Sequence, residues 1–310
     1  MAQIETFGTV SGTAWPALPY IGWQDTCTTL HMWTQIVGKI RLAQEPMLNQ
    51  WWQVPLYVTA TGLTTSPMPY QARSFQIDFD FCHHALAIRT SDSQHKEFPL
   101  TPMPVAEFYD RIMQTLRDLG IEVKIWTMPV EVANAIPFEK DQQHKSYDAD
   151  AAQRFWRALV QADRLMKQFR AGFIGKVSPV HFFWGSFDLA VTRFSGRTAP
   201  PHPGGMPSLG DWVAREAYSH EVSSCGFWPG NGGFGKAAFY SYAYPAPAGF
   251  ADAGPLPPQA SFDRTLGEFI LDYDIVRLSH DPDAMVLDFL RSTYAAAANA
   301  GKWDRAALEW

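Results

Sequence analysis

The longest stretch with strand character, Pro179–Arg197, contains a carboxylate and a hydroxyl within an apolar run. It is dense in aromatic and β-branched residues and is bounded by Pro and Gly, which predicts one strand. Alternation along that strand places Trp184, Ser186 and Asp188 on one face. A charge among apolar side chains must be paired, hydrogen-bonded or exposed to a solvated cavity. We therefore predict that this strand forms one wall of a pocket.

A histidine flanked by acidic residues occurs in a second predicted strand, at 216–225. Alternation places Glu216, Tyr218 and His220 on one face of this strand and Glu221 on the other. Neighbouring carboxylates readily tune the pKa of a histidine, which is near 6.5 when free, so His220 is a candidate general acid or base. The alternative is a structural histidine within a cross-strand ion pair.

A helix is predicted to begin at Asp25, and one edge of it is polar. His31, Gln35 and Lys39 follow that edge four residues apart, which makes them neighbours on a helix surface. This edge of the helix is exposed to solvent or, alternatively, faces the site. The buried face of the helix is indicated by helical spacing of Leu30, Trp33, Val37 and Ile40.

Basic residues follow Asp188 closely along the chain. Arg193 and Arg197 could form a salt bridge with this aspartate. The other interpretation is a wall that binds the carboxylate of a ligand, because guanidinium groups match carboxylate geometry.

Standard catalytic signatures are absent from the sequence. It contains no G-x-G-x-x-G, Walker loop, H-E-x-x-H or G-x-S-x-G motif. A metal site would have to be assembled across elements, for example from His31, His181 or His220 with Glu221. We predict no metal site and assign no cofactor, and a histidine-ligated metal or haem protein stays as an alternative.

Composition restricts the classes of partner. The 310 residues are 46% hydrophobic and 18% charged, and the net charge is -6, which gives no electrostatic footprint for nucleic acid. No stretch of 18 apolar residues and no signal peptide occurs, so no membrane partner is expected. Three widely spaced cysteines without C-x-x-C are typical of a cytoplasmic protein. The 12 Trp and 21 Phe predict an aromatic core or an aromatic-lined cavity.

The order of elements predicts an α+β fold, mainly antiparallel sheet with about four covering helices. Besides the helix from Asp25, helices are predicted at 105–119, 149–171 and 283–300, and an arm at 1–24. Two similar halves are expected, 1–130 and 151–310, joined by a connector at 131–150, or else one compact domain.

Several blocks resemble the hallmark blocks of an uncharacterised bacterial family of unknown function. They are Thr29–Leu42 (TLHMWTQIVGKIRL), Trp51–Thr59, His181–Arg197 (HFFWGSFDLAVTRFSGR) and Glu216–Ser224 (EAYSHEVSS). The resemblance extends from about residue 15 to Leu308 and implies one complete unit. It implies no reaction, cofactor or catalytic residue.

We favour an enzyme that uses general acid/base chemistry in an aromatic pocket, on a small molecule that could be anionic. His220 is the expected acid/base, oriented by Glu221 or Glu216, while Arg193 and Lys39 hold the anion. The other predicted site residues are His31, Trp184, Ser186, Asp188 and Tyr218. Two alternatives to an enzyme of this kind stay open: a non-catalytic binder of an apolar ligand, and the metal or haem protein named above. The oligomeric state is left open.

Overall fold

The computed structural model describes residues 14–254 and 257–310. Within these ranges, two antiparallel sheets and four long helices confirm the predicted α+β class. Residues 1–13 of the predicted arm lie outside the described residues. Beyond them the arm packs onto the body, since Trp15, Leu18 and Trp23 are buried.

The N-terminal sheet contains six strands, all antiparallel to their neighbours. They are β1 (Tyr57–Val58), β2 (Gly62–Thr64), β3 (Met68–Tyr70), β4 (Arg73–Asp80), β5 (Ala85–Thr90) and β6 (His95–Pro99). The order is β1-β2-β4-β5-β6, and β3 also pairs with β4. In β4 the apolar side chains Phe75, Ile77 and Phe79 are buried and the polar ones between them are not. This confirms a strand with one core-facing side.

The C-terminal sheet is also six-stranded and antiparallel, in the order β11-β12-β10-β9-β8-β7. Its strands are β7 (His181–Phe183), β8 (Asp188–Thr198), β9 (His220–Trp228), β10 (Ala238–Tyr244), β11 (Ser261–Asp263) and β12 (Glu268–Asp272). In the middle of the sheet Ala190 pairs with Gly226, which in turn pairs with Tyr240. Residues of three strands therefore lie in one row across the sheet.

The four long helices lie close to the ranges predicted for them. They are α1 (Gln24–Gln44), α2 (Val105–Asp118), α3 (Ala149–Ala171), α4 (Asp211–Ala217), α5 (Tyr273–Arg277), α6 (Pro282–Ala300) and α7 (Arg305–Leu308). No helix in the described part of the chain is long and apolar enough to cross a membrane. Helices α3 and α6 pack against the C-terminal sheet, so one face of that sheet is covered by helix.

Three predicted strands are wrong in part or in whole. Pro179–Arg197 is a hairpin rather than one strand, because the chain turns at residues 184–187 and Phe183 pairs with Asp188. In the stretch 216–225, α4 continues to Ala217 and β9 begins only at His220. The stretch 121–126, whose apolar residues also predict a strand, forms none. Alternation alone did not distinguish these turns and short helices from continuous strands.

Backbone hydrogen bonds join the two sheets directly. Leu56 and Phe182 exchange both of their backbone hydrogen bonds, each 2.9 Å long. One buried cluster includes residues of both sheets, among them Phe79 and Phe227. The division into halves with a connector at 131–150 stays a prediction.

Helix α1 is buried on nearly all sides and forms the centre of the core. Trp33 is fully buried and stacks on Phe108 of α2 at 4.7 Å and on Tyr147 at 5.5 Å between ring centroids. Helices that are enclosed in this way need apolar or internally satisfied side chains on every face. Several buried polar residues of α1, among them His31 and Gln35, are accordingly held by specific partners.

Trp33→Ala is expected to lower the free energy of unfolding by about 3–5 kcal/mol, because it removes a large buried side chain and leaves a cavity. Urea unfolding followed by circular dichroism measures the change. Trp310→Ala is the control, since Trp310 is 90% exposed and its loss should change stability little. Equal losses in the two variants would contradict the central position of α1.

Candidate functional site

A cavity of about 360 Å³ lies on the face of the C-terminal sheet opposite α3 and α6. Its floor is formed by alternate residues of β8, β9 and β10, and its walls by the end of α1, the loop 126–131, the segment 50–54 and the chain from 206 through α4. The lining is largely aromatic, with Trp51, Trp52, Trp126, Phe183, Trp184, Phe194, Trp212, Tyr218, Tyr240 and Tyr242. A cavity of this size and composition is typical of small-molecule sites.

The hairpin turn between β7 and β8 brings a hydroxyl and a carboxylate to the cavity. Phe187 has a left-handed backbone with φ of 64°, and its N–H donates to the carbonyl of Phe183 at 2.8 Å. This closes the turn so that the Ser186 hydroxyl donates a hydrogen bond to the first residue of β8, Asp188. Both side chains line the cavity.

A second hydroxyl reaches Asp188 from two strands away. Tyr240 of β10 donates a hydrogen bond to the Asp188 carboxylate across β9. The residue of β9 between them is Gly226, where a Cβ atom would lie 2.3 Å from the Tyr240 hydroxyl oxygen and 2.4 Å from the Leu189 carbonyl oxygen. Such contacts are far inside van der Waals range, so only glycine permits the phenol to cross the sheet.

Burial raises the pKa of Asp188, and the hydrogen bonds from Ser186 and Tyr240 act against that rise because they stabilise the charged form. The two hydroxyls therefore lower the free-energy cost of a carboxylate in an apolar environment. In the other direction, burial and the negative charge of Asp188 raise the pKa of Tyr240 far above its usual value. Tyr240 consequently remains a hydrogen-bond donor.

A second carboxyl, that of Glu131, lies beside Asp188 on the cavity wall. Its side chain has no hydrogen-bond or ion-pair partner among the described residues and is only partly exposed. A Cβ at position 185 would lie 2.2 Å from Glu131 Oε1, so Gly185 leaves the space that this carboxyl occupies. Burial, and to a smaller extent the charge of Asp188, raises the pKa of Glu131 to about 7.

The polar edge of α1 holds the backbone on both sides of this carboxyl. The Gln35 amide donates to the Val130 carbonyl at 2.8 Å and accepts from the Val130 N–H at 2.9 Å. His31 Nε2 lies 2.8 Å from the Gly185 carbonyl oxygen and 3.1 Å from Gln35 Nε2. Burial lowers the pKa of His31 to about 4, so its ring is neutral. His31 and Gln35 therefore position the cavity wall from behind.

Tyrosine and serine hydroxyls extend the polar row along the sheet. The hydroxyls of Tyr218 and Tyr242 lie 2.8 Å apart, as do those of Thr192 and Ser224. Glu268 of β12 lies near this row, and burial together with the charges of Asp188 and Asp263 raises its pKa to about 7. The cavity floor is thus lined with hydroxyls that can donate and accept hydrogen bonds.

Several non-glycine residues around the cavity have left-handed backbones. Besides Phe187, positive φ angles occur at Gln50 (53°), Trp51 (60°), Glu131 (59°) and Ser208 (53°), all four on the cavity lining. This conformation is costly for residues with a side chain and tends to cluster at binding and catalytic sites. The carboxyl of Glu131 is held by such a backbone, whose N–H donates to the Pro207 carbonyl at 2.8 Å.

The structure brings together half of the side chains predicted to form the site. Those that line the cavity are Lys39, Trp184, Ser186, Asp188 and Tyr218. His31 lies behind the turn, as described. Glu216 is in α4 rather than in a strand and accepts a hydrogen bond from the Gln50 N–H at 3.1 Å. Neither His31 nor Glu216 lines the cavity.

The predicted acid/base pair and the predicted anion-binding arginine lie elsewhere. Glu221 forms an ion pair with Arg197 at 2.6 Å, and His220 Nδ1 lies 3.1 Å from Ser219 Oγ. Arg193 faces the helical side of the sheet, with Cζ 3.6 Å from the centroid of Phe169 of α3. Successive side chains of β8 point to opposite faces of the sheet, and the set that does not include Arg193 lines the cavity.

Glu131, Tyr240 and Tyr242 are functional candidates that the sequence analysis missed. The two tyrosines had a signal, because they alternate within the strand-like stretch Ala238–Tyr244 and so share one face. Glu131 had none. It lies in a loop without periodicity, and only the folded chain places it beside Asp188.

No group of three or more His, Cys, Asp or Glu residues in the described ranges is arranged to hold a metal ion. The described residues that line the cavity include no histidine. His181 is fully buried among aromatic rings, with Tyr57 at 5.6 Å and Phe183 at 5.4 Å between ring centroids. The oxygen-bearing side chains that face the cavity carry carboxyls and hydroxyls, which suit proton transfer and hydrogen bonding.

Comparison with known proteins gives a family without an assigned activity. A family model described as "Family of unknown function (DUF5996)" matches residues 15–310. Neither the curated proteins nor the solved structures contain a match to the chain.

Tyr240→Phe is expected to destabilise the fold by about 1.5–3 kcal/mol near pH 8, where Asp188 loses a donor to its charged form. The loss should become smaller as the pH is lowered, because burial raises the pKa of Asp188 and protonation removes the buried charge. Urea unfolding over this range of pH measures it. Tyr244→Phe is the control, since that hydroxyl donates only to the Pro200 carbonyl at the surface. A pH-independent loss no larger than the control's would contradict the role of Tyr240.

Glu131→Gln is expected to remove a decline in stability between about pH 4.5 and 7. A carboxyl whose folded pKa is raised from 4.5 to about 7 binds more protons when folded, so stability falls as pH rises through that window. The difference between variant and wild type should reach on the order of 2–3 kcal/mol above pH 7. Thermal unfolding across this range measures it.

Glu122→Gln provides the matched control, because Glu122 is exposed and far less affected by desolvation. Its stability profile should follow that of the wild type. If Glu131→Gln also followed the wild type, the raised pKa of Glu131 would be refuted.

Proposed function

The chain belongs to DUF5996, a family of unknown function, and we propose that it is an enzyme for a small organic molecule, with Glu131 as general acid and base. The molecule would bind in the aromatic cavity on the C-terminal sheet. The reaction would transfer a proton between the bound molecule and the Glu131 carboxyl. Asp188, Ser186 and Tyr240 would set the charge around that carboxyl.

The observation that carries this proposal is the unpartnered state of Glu131. A carboxyl that is mostly surrounded by protein is normally hydrogen-bonded or paired, yet this one has no partner within the described chain. Its open side faces the cavity. With a pKa raised to about 7, it is populated in both forms at neutral pH, which is the best condition for general acid/base catalysis.

Asp188 supports this role electrostatically. Its carboxylate accepts from Ser186 and Tyr240, while its charge raises the pKa of Glu131. Two carboxyls in distinct surroundings commonly take different protonation roles, as one retains the proton that the other gives up. Here the hydrogen bonds to Asp188 favour its charged form, and Glu131 would exchange the proton.

The aromatic walls favour a ligand with an apolar or planar body. Trp184 is fixed by its indole N–H, which donates to the Val54 carbonyl at 2.9 Å, and Trp51 is fixed in the same way by the Val213 carbonyl at 3.0 Å. Rigid aromatic side chains bury ligand area at low entropic cost. They would also keep bulk water from the two carboxyls and so maintain the raised pKa.

A non-catalytic binder of an apolar ligand is the second candidate. The largely aromatic lining favours it, because such a binder needs the walls and makes no use of the carboxyls. Such a binder would differ from an enzyme because it would release the bound molecule chemically unchanged.

Glu131→Gln is expected to lower turnover by about 10²–10⁴-fold while ligand binding persists, because glutamine keeps the shape of glutamate and cannot carry the proton. The measurement incubates the protein with a library of small metabolites in D₂O and follows, by mass spectrometry, conversion or deuterium incorporation. Affinity selection of the same library identifies which compounds bind.

Glu122→Gln is again the control and should retain full turnover. Compounds that bind to the wild type and leave without conversion or exchange would favour the non-catalytic binder. Conversion that proceeds equally in Glu131→Gln would refute Glu131 as the acid/base.

A further inference from the structure

Lys39 brings a positive charge to the cavity without any negative partner. The residue is 4% exposed and lines the cavity. It has no hydrogen bond or salt bridge within the described residues. Its Nζ lies 4.7 Å from the ring centroid of Trp126 and 5.9 Å from that of Trp184. Lysines are almost never buried to this degree unless they are paired.

The two indole rings do not offset the burial of this charge. A cation–π contact contributes less free energy than the burial of an ammonium costs, even after relaxation. The cost shows in the pKa of Lys39, which burial lowers to about 8. An ammonium held in this way still lacks an anion.

The surrounding chain is built to keep Lys39 at this position. A Cβ at the preceding residue, Gly38, would lie 2.2 Å from the Trp184 indole, so the helix and the indole can approach only because that atom is missing. Trp184 in turn is anchored to the Val54 carbonyl. Lys39 therefore projects from the long central helix α1 into a fixed frame of aromatic rings.

We propose that Lys39 binds the carboxylate of the substrate, and that the substrate class is organic monocarboxylates with a planar apolar body. This inference rests on the proposed function, since it concerns the same cavity. A singly charged group matches the single unpaired ammonium. A doubly charged phosphate would be repelled by Asp188 and Glu131 on the same lining.

The two ends of such a molecule would meet different groups. The Lys39 ammonium lies by the rings of Trp126 and Trp184, whereas the Glu131 carboxyl lies beside Gly185 and Asp188. A carboxylate at Lys39 would leave the apolar body against the tryptophans and the distal end beside Glu131. The proton would then be exchanged at a carbon or heteroatom remote from the carboxylate.

The test compares carboxylates with their primary amides, which have the same shape and no charge. The probes are 3-phenylpropionate, indole-3-acetate and 4-hydroxyphenylacetate, and binding is measured by isothermal titration calorimetry. At least one acid is expected to bind about tenfold or more tightly than its amide, a difference of ~1.4 kcal/mol. Near pH 8.5 its binding should take up a proton, because an anion beside Lys39 favours the charged amine.

Lys39→Met should abolish both the preference for the acid and the proton uptake. It should retain or raise the thermal stability, since it removes a buried unpaired charge, and that stability shows that the variant is folded. Lys124→Met, at an exposed lysine outside the cavity lining, should behave as wild type. Amides that bind as tightly as acids, no detectable binding of any acid, or an unchanged preference in Lys39→Met would overturn the proposal.

Glu131→Gln separates this proposal from the proposed catalytic function. The variant should keep the preference for acids while losing turnover. A preference for acids without turnover, in the wild type as in the variants, would support the carboxylate site and refute the proposed enzyme. Turnover of neutral compounds alone would support the enzyme and refute the carboxylate site.

Discussion

A buried carboxylate, that of Asp188, is the group around which the C-terminal sheet is arranged. It is tolerated because Ser186 and Tyr240 donate hydrogen bonds to it, and each donor depends on an unusual backbone feature. Ser186 needs the tight turn closed by the left-handed Phe187. Tyr240 needs the missing side chain of Gly226. Burial, and to a smaller extent the charge of Asp188, raises the pKa of Glu131 to about 7, so these two hydrogen bonds contribute to the acidity of Glu131.

The central helix connects this arrangement to the rest of the fold. Helix α1 packs through Trp33 against the N-terminal half, and its polar edge fixes Val130 and Gly185 on the cavity wall. The same edge ends in Lys39, whose charge faces the cavity. One helix therefore supplies core packing and positions the cavity wall, which explains why His31 and Gln35 are buried and bonded to residues distant in sequence.

Long, strongly patterned elements could be predicted from the sequence, and the details of the site could not. The alternation of β4 and the spacing of α1, α2, α3 and α6 identified them, and an acid and a hydroxyl within apolar residues led to Asp188 and Ser186. Period two already separated Arg193 from Asp188, so its absence from the cavity was implicit. The prediction for His220 and Glu221 depends on a continuous strand at 216–225, whose first part is helix in the structure. Glu131 depends on contacts between residues about 50 and 100 positions apart, which no local pattern records.

The left-handed backbone of Glu131 has a consequence for the history of this chain. Glycine would occupy that position with less strain and would give a more stable protein, so selection for folding alone favours losing the carboxyl. Glutamate in this conformation costs the fold stability at one point of the cavity wall, which is typical of positions where a side chain serves a site rather than the fold.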